Sequence, residues 1–194
     1  MRYDTEHKQR TRKLILREAA EAIRQNGPDK LGVASLMAKA GLTHGGFYAH
    51  FKSRDALVAE AVAAMFETQQ NLLQEKTHGR PPDQGLIAYL DSYLSTAHRD
   101  QRGQGCPVAA LSSDSARMDK DARKRFNKGL ENMVSGLAQL IDALPRPGAR
   151  ALAVSMVAEM VGAMGMARSV TDAEFSAQIL NTAKESILGR LGLG

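Results

Sequence analysis

The chain has 194 residues, enough for one or two small domains with a real core. Its 43% hydrophobic and 24% charged content is that of an ordinary soluble globular protein. One cysteine excludes an internal disulfide framework. The polar, charged N-terminus has no apolar signal core, so the expected compartment is the reducing cytoplasm. Charge is uneven: residues 1–54 carry a net +6 and the remainder −1. That places any attraction for a polyanion such as DNA at one end of the chain, although a solvated basic face has the same signature.

In chain order, Lys8 to Gln25 has a helical pattern, with Ile15, Leu16, Ala19 and Ile23 on one side. Asn26-Gly27-Pro28-Asp29 ends it with turn residues. Arg2, Lys8, Arg10 and Arg12 read either as an arm along a DNA backbone or minor groove, or as a disordered basic tail. Next, Val33, Leu36, Met37 and Ala40 fall at i, i+3, i+4 and i+7, one apolar face at helical period. Gly41 sits where that helix must stop and takes the left-handed conformation at no steric penalty. Leu42 follows as an apolar plug, and Thr43 is placed to cap the next helix through its side-chain oxygen. Phe47 and Phe51 point back into the core, which leaves Thr43, His44, Gly45, Gly46, Tyr48 and His50 outward. Two short helices about a tight turn form a helix-turn-helix, whose second helix lies in the major groove with its early residues against base edges. Two glycines in that helix disfavour it by roughly 1 kcal/mol each relative to Ala. Either they let its N-terminus press close to DNA, or they leave a first turn that DNA contact orders.

Ala40-Gly41-Leu42-Thr43, followed by Tyr48-Ala49-His50-Phe51-Lys52-Ser53-Arg54, resembles the DNA-binding signature of the TetR family of bacterial repressors. The resemblance is close over the N-terminal third and extends over the remainder only as length and helical pattern. It implies that Thr43, His44 and His50 face bases, while Tyr48 gives its hydroxyl to phosphate. Lys52 and Arg54 become phosphate partners, which position the protein without reading sequence. Where the family usually carries Ser or Thr at the start of the first motif helix, this chain has Gly32, with no side chain to offer phosphate.

Beyond the motif, Ser53 caps a long helix with Asp55 in its first turn, where the helix dipole favours a negative charge. Leu57, Val58, Ala61, Met65, Phe66 and Leu73 carry it to about Lys76. His78 to Asp83 is a loop. Helical stretches recur over Gln84–Arg99, Pro107–Ala116, Lys120–Leu144, Ala149–Arg168 and Asp172–Arg190, and no segment shows strand alternation with hairpin turns. The fold class is all-α: an N-terminal three-helix helix-turn-helix domain over residues 1–54, then a helical ligand-sensing and dimerisation domain over residues 55–194. The most apolar run, Ala151 to Ala167, is interrupted by Ser155 and Glu159 and reads as too short to span a bilayer comfortably, so no membrane partner is expected. Small residues, Gly162 among them, and the stripe of Met156, Met160 and Met164 suggest an assembly face. Phe175, Ile179, Ala183 and Ile187 extend it on the last helix. In the family two such helices per subunit form a four-helix bundle across a two-fold axis. The alternative is that both bury against their own domain.

Cys106 precedes Pro107, and proline favours the first helical position. Cys106 is thus a helix N-cap, where the dipole, with Arg102 near in sequence, would lower the thiol pKa and favour a reactive thiolate. A small buried cysteine is the alternative. Tyr89 and Tyr93, one turn apart, with Phe66, Met118, Phe126 and Met133, are candidates to line an apolar cavity, or are plain core. The five histidines are scattered without ligand spacing, and there is no phosphate-binding glycine loop or nucleophile elbow, so neither metal nor cofactor is expected. The resemblance implies a one-component repressor, a homodimer on a palindromic double-stranded DNA operator, released by a small apolar or electrophilic inducer. Two other classes are weighed against it: a constitutive DNA-binding protein without inducer, and a cysteine hydrolase using Cys106 and His98, which lacks a third orienting group.

Overall fold

The computed structural model describes residues 2–145 and 147–194, with side chains from residue 6 onward, and among the described residues every regular element is helical. Helix α1, Arg2–Asn26, begins earlier than the apolar pattern indicates. Lys8, Arg10 and Arg12 therefore stand on a helix and not in an arm; the side chain of Arg2 lies outside the described residues. Gly27, at φ +83°, ends α1. Helix α2, Val33–Lys39, leads to a six-residue 3-10 stretch, His44–Ala49. Helix α3, Arg54–Thr77, follows directly, its first turn capped by Ser53 Oγ, which accepts the Ala56 N–H at 3.0 Å.

The predicted helix Gln84–Arg99 is divided into α4, Pro82–Tyr93, and α5, Thr96–Asp100. The break falls at Ser95, whose hydroxyl accepts the His98 N–H at 3.1 Å; a serine that bonds locally competes with continuation of the helix. A 3-10 turn, Arg102–Gln104, precedes α6, Pro107–Leu111, which is shorter than Pro107–Ala116; a second 3-10 turn, Ser115–Arg117, follows it. Helices α7, Lys120–Asp142, α8, Ala149–Ser169, and α9, Ala173–Leu191, complete the chain close to the predicted bounds.

One continuous apolar core runs from Ile15 and Ile23 of α1 through Leu57 and Met65 of α3 to Leu137 of α7 and Met160 of α8. Helix α3 lies along α7, α7 along α8, and α8 along α9. The α3–α7 approach is close because α7 carries glycines where α3 presents bulk. A Cβ on Gly129 would stand 2.2 Å from the Phe66 ring, and one on Gly136 would stand 3.1 Å from Leu73 Cδ2. Both pairs advance together along the chain, so α3 and α7 run in the same direction. Helix α8 has 21 residues, more than the run Ala151–Ala167. By length and composition it is long and apolar enough to cross a membrane, which corrects the expectation that it is too short, but its Met156, Met160 and Met164 are buried in the core of this chain.

Candidate nucleic-acid interface, joint and ligand groove

The turn of the motif forms as its sequence requires. Gly41 is left-handed at φ +72°, its N–H donates to the Ala38 carbonyl at 3.0 Å and the Leu42 N–H to the Met37 carbonyl at 2.8 Å, the paired bonds of a glycine C-cap. The element after it departs from expectation. His44–Ala49 is a 3-10 stretch, and Thr43 occupies the N-cap position without a side-chain cap; the Gly46 N–H is held instead by the Thr43 carbonyl at 3.1 Å. Gly45 and Gly46 supply little helical propensity, and the tighter turn satisfies its donor through the backbone alone. Aromatic burial fixes the stretch: Phe47 and Phe51 are buried and stacked with centroids 5.7 Å apart. The Arg12 guanidinium lies 4.8 Å above the Phe51 ring and pairs with Glu60.

Thr43, His44, Gly45 and Lys52 are exposed, and Tyr48 is 68% exposed although it follows the buried Phe47. Gly46 and His50 are half-buried. His50 Nδ1 is closed off without a hydrogen-bond partner among the described residues, and burial, then the charges of Lys8, Arg12 and His7, hold its imidazole below the ordinary pKa. Arg54 is not the free phosphate partner expected. Its guanidinium donates to the Pro28 carbonyl and, through Nε, to the Leu31 carbonyl at 3.1 Å, so it pins the α1–α2 loop to the start of α3. Both carbonyls lie in the loop between α1 and α2, outside either helix's own ladder, and the cation satisfies them. The remaining basic groups, Lys8, Arg10, Lys13, Lys30 and Lys52, are exposed and make no ion pair with a described residue.

The segment following α4 joins the motif to the rest of the molecule. Cys106 is the N-cap of α6 with Pro107 at the first position, as its sequence indicates. Its expected low pKa is overturned: the thiol is fully buried, and burial, the largest influence on it, pushes its pKa up. Helix α6 has only five residues, so little dipole is available to offset desolvation. The cation that acts on the thiol is Arg168, not Arg102. Cys106 N–H donates to His98 Nε2 at 3.0 Å, and His98 Nδ1 meets the Tyr93 carbonyl at 2.6 Å. Both ring nitrogens are therefore engaged with backbone, and neither serves as a base for the sulfur. Arg168 of α8 donates to the carbonyls of His98 and Arg99 at 2.9 and 3.1 Å, and the buried Arg24 of α1 donates to the Gly103 carbonyl at 3.0 Å. A short segment thus ties α8 to α1.

A groove of about 740 Å³ runs between α3 and α7. Of the expected sensing residues it gathers Phe66, Tyr89 and Met133, together with Leu73 and Leu140. It does not gather Phe126, Met118, Tyr93 or Cys106. Phe126 packs edge-on against Phe66 at 5.5 Å, Met118 lies against the core, and Tyr93 and Cys106 are fully inside it. Apolar side chains at helical spacing fill the core before they line a cavity. The groove is also not uniformly apolar: Gln70, Gln74, Lys124, Arg125, Lys128 and Asn132 border it. Buried Gln69 donates to Tyr89 Oη at 2.9 Å at its edge. The signal for this groove lies in Gly129 and Gly136 of α7, spaced like Phe66 and Leu73 of α3.

The expected assembly residues divide in two. Met156, Met160, Met164, Ala183 and Ile187 are buried within this chain, so they are core and not a free interface. Helix α8 packs against both α7 and α9, and its largest apolar residues are taken up there. Gly162 and Phe175 are exposed and Ile179 is half-buried. With Ala151, Val154, Ala158, Gly165 and Met166 they form an outer face on α8 and α9. Val154, Met166 and Phe175 are 52%, 57% and 49% exposed.

The sequence model of the bacterial regulatory proteins of the tetR family matches residues 15–61, which span the second half of α1, the motif and the start of α3. The chain is 25% identical over 145 residues to the HTH-type transcriptional repressor NemR of Escherichia coli, covering 73% of this chain and 71% of that one. It is 31% identical over 77 residues to the HTH-type transcriptional regulator YvdT of Bacillus subtilis, 40% of this chain and 38% of that one. In three dimensions it resembles the reduced form of E. coli NemR, with a TM-score of 0.80 at 22% identity over 92% of this chain and 95% of that one. A TetR transcriptional regulator of Chloroflexus aurantiacus matches with a TM-score of 0.83 at 24% identity over 96% of both chains.

Proposed function

We propose that this chain, whose residues 15–61 match the tetR family of bacterial regulatory proteins and which is 25% identical to the repressor NemR, is a transcriptional regulator of that family and works as a cytoplasmic homodimeric repressor released from a palindromic operator by a small molecule. One observation carries the reading. Among the described residues the large apolar side chains left in water are Tyr48 on the motif and Val154, Met166 and Phe175 on the outer face of α8 and α9. The first belongs against DNA and the other three against a second copy.

In this reading residues 1–54 bind DNA through Thr43, His44, Gly45, Gly46, Tyr48, His50 and Lys52, while residues 55–194 dimerise and hold the effector. Two-fold symmetry doubles a half-site that one short recognition element reads only sparsely. The effector site is the groove. A ligand seated between α3 and α7 bears on the helix that begins three residues after Phe51, and so sets the separation of the two recognition elements. It acts only by its preference for one spacing over the other. The groove also weighs against a constitutive DNA-binding protein without inducer. A noncovalent effector is favoured over an electrophile, because the Cys106 thiol has no access in this conformation.

The test is the mass in solution. The wild type is expected at twice the 21.0 kDa of the chain, and Met166→Glu combined with Phe175→Glu at the chain mass, with loss of tight binding to palindromic duplexes selected from a random library. A monomeric wild type at micromolar concentration defeats the reading.

A further inference from the structure

We propose that the groove between α3 and α7 selects an amphipathic anion, an acidic head on an apolar body. Lys124, Arg125 and Lys128 hold the head, and Phe66, Leu73 and Met133 receive the body. The proposal rests on the reading of this groove as the effector site and names the chemistry of its ligand.

The floor is apolar because Gly129 lets the Phe66 ring lie against the α7 backbone and Gly136 does the same for Leu73. Their spacing lays out an apolar strip of roughly 10 Å at 1.5 Å per residue. The volume of about 740 Å³ falls within the range of about 300–1,000 Å³ usual for small-molecule sites. One wall is cationic. Lys124 and Lys128 are one helical turn apart and so share a face, with Arg125 beside them. All three are exposed, line the groove and make no ion pair with a described residue.

Two carboxylates also border the groove. Asp121 sits in the first turn of α7, where the positive end of the helix balances it. Glu67 is the acid on the α3 wall, whose other polar residues there, Gln69, Gln70, Gln74 and Thr77, carry no charge. Three like charges crowded on one helix over an apolar floor are relieved by an anion. A neutral apolar ligand leaves them as they are, and a cation adds to the repulsion. The flanking amides supply hydrogen bonds to an acidic head without competing for its charge.

The experiment is calorimetric titration of the full-length protein with decanoate, decanol and decylammonium at one ionic strength. The wild type is expected to bind decanoate at least ten-fold more tightly than decanol, with decylammonium weakest. Lys124→Gln with Lys128→Gln should keep the decanol affinity and lose the preference for decanoate, and Lys124→Glu with Lys128→Glu should favour decylammonium over decanoate. Decanol or decylammonium binding the wild type as tightly as decanoate, no binding of any probe, or an order unchanged in both double variants overturns the proposal. DNA binding is followed separately on the same preparations. Protein that prefers decanoate but never binds duplex DNA overturns the repressor reading, whereas protein that binds DNA without preferring decanoate overturns this one.

Discussion

Residues 43–51 and residues 95–106 are both short, turn-rich segments that carry histidine, and they dispose of their polar groups in opposite ways. In the first, His44, Gly45 and Tyr48 face outward, whereas His50 is half-buried and its Nδ1 is closed off with no hydrogen-bond partner among the described residues. In the second, both nitrogens of His98 are engaged with backbone, and the carbonyls of His98, Arg99 and Gly103 receive arginines from α8 and α1. The first segment leaves Thr43, His44, Gly45 and Tyr48 open to another molecule, while the second turns its polar groups inward to make a joint.

The sharpest way to break this comparison uses neighbours in the first segment. Phe47 is buried on Phe51, and Tyr48 stands in solvent. Phe47→Ala should lose about 3–5 kcal/mol of stability, the usual range for a buried aromatic truncated to alanine. Tyr48→Ala should change stability by less than about 0.5 kcal/mol, as exposed sites do, yet weaken DNA binding strongly. Urea unfolding and DNA titration on both variants decide it; equal loss of stability would mean that the outward face is held by the protein and not offered to DNA.

Lys52 and Arg54 sharpen the division further. Arg54 donates to Leu31 and Pro28, whereas Lys52 makes no ion pair with a described residue. Arg54→Ala should destabilise by about 1–3 kcal/mol, as loss of a charged donor to buried-side carbonyls does. Lys52→Ala should leave stability unchanged and reduce the log–log salt slope of DNA binding by about 0.9, the share of one phosphate contact. The reverse assignment of the two effects would return Arg54 to the DNA.

That pair also shows how far the sequence reached. The helical period gave the all-α class, the Gly41 turn, the Ser53 cap and the bounds of α7, α8 and α9, because each depends on neighbours within a turn or two. It did not show that Arg54 bonds residues more than twenty positions back, nor which face of α8 the core would claim. Met156, Met160 and Met164 look alike whether they meet α7 or a second subunit. Cys106 was located correctly at its helix start and given the wrong chemistry, because a sequence shows the dipole but not the desolvation that outweighs it. The groove was half legible: Phe66, Tyr89 and Met133 stood in view, whereas Lys124, Arg125 and Lys128 resembled any solvated helix face until Phe66 was seen against Gly129.

The smallest effect tests the joint itself. His98 donates from Nδ1 to the Tyr93 carbonyl and accepts the Cys106 N–H at Nε2, which defines a neutral ring. Protonation would set a donor against a donor beside Arg168. Burial holds the imidazole below its ordinary pKa; the Tyr93 carbonyl opposes this and the Arg168 charge adds to it. The unfolded chain takes the proton near the unperturbed value of about 6.5, and the folded chain takes it only at lower pH. Unfolded protein therefore binds more protons in that window, and stability falls as pH drops below about 6.5 until the folded pKa is reached. Above 6.5 both states are neutral and the term vanishes. His50 is shifted the same way by burial and its basic neighbours, so it adds to the slope. Urea midpoints from pH 8 to 5 should fall less steeply for His98→Gln than for wild type, and least for His98→Gln with His50→Gln. A slope untouched by His98→Gln would mean that the Cys106 N–H is satisfied by another group once the ring is charged, and that the joint does not depend on this histidine being neutral.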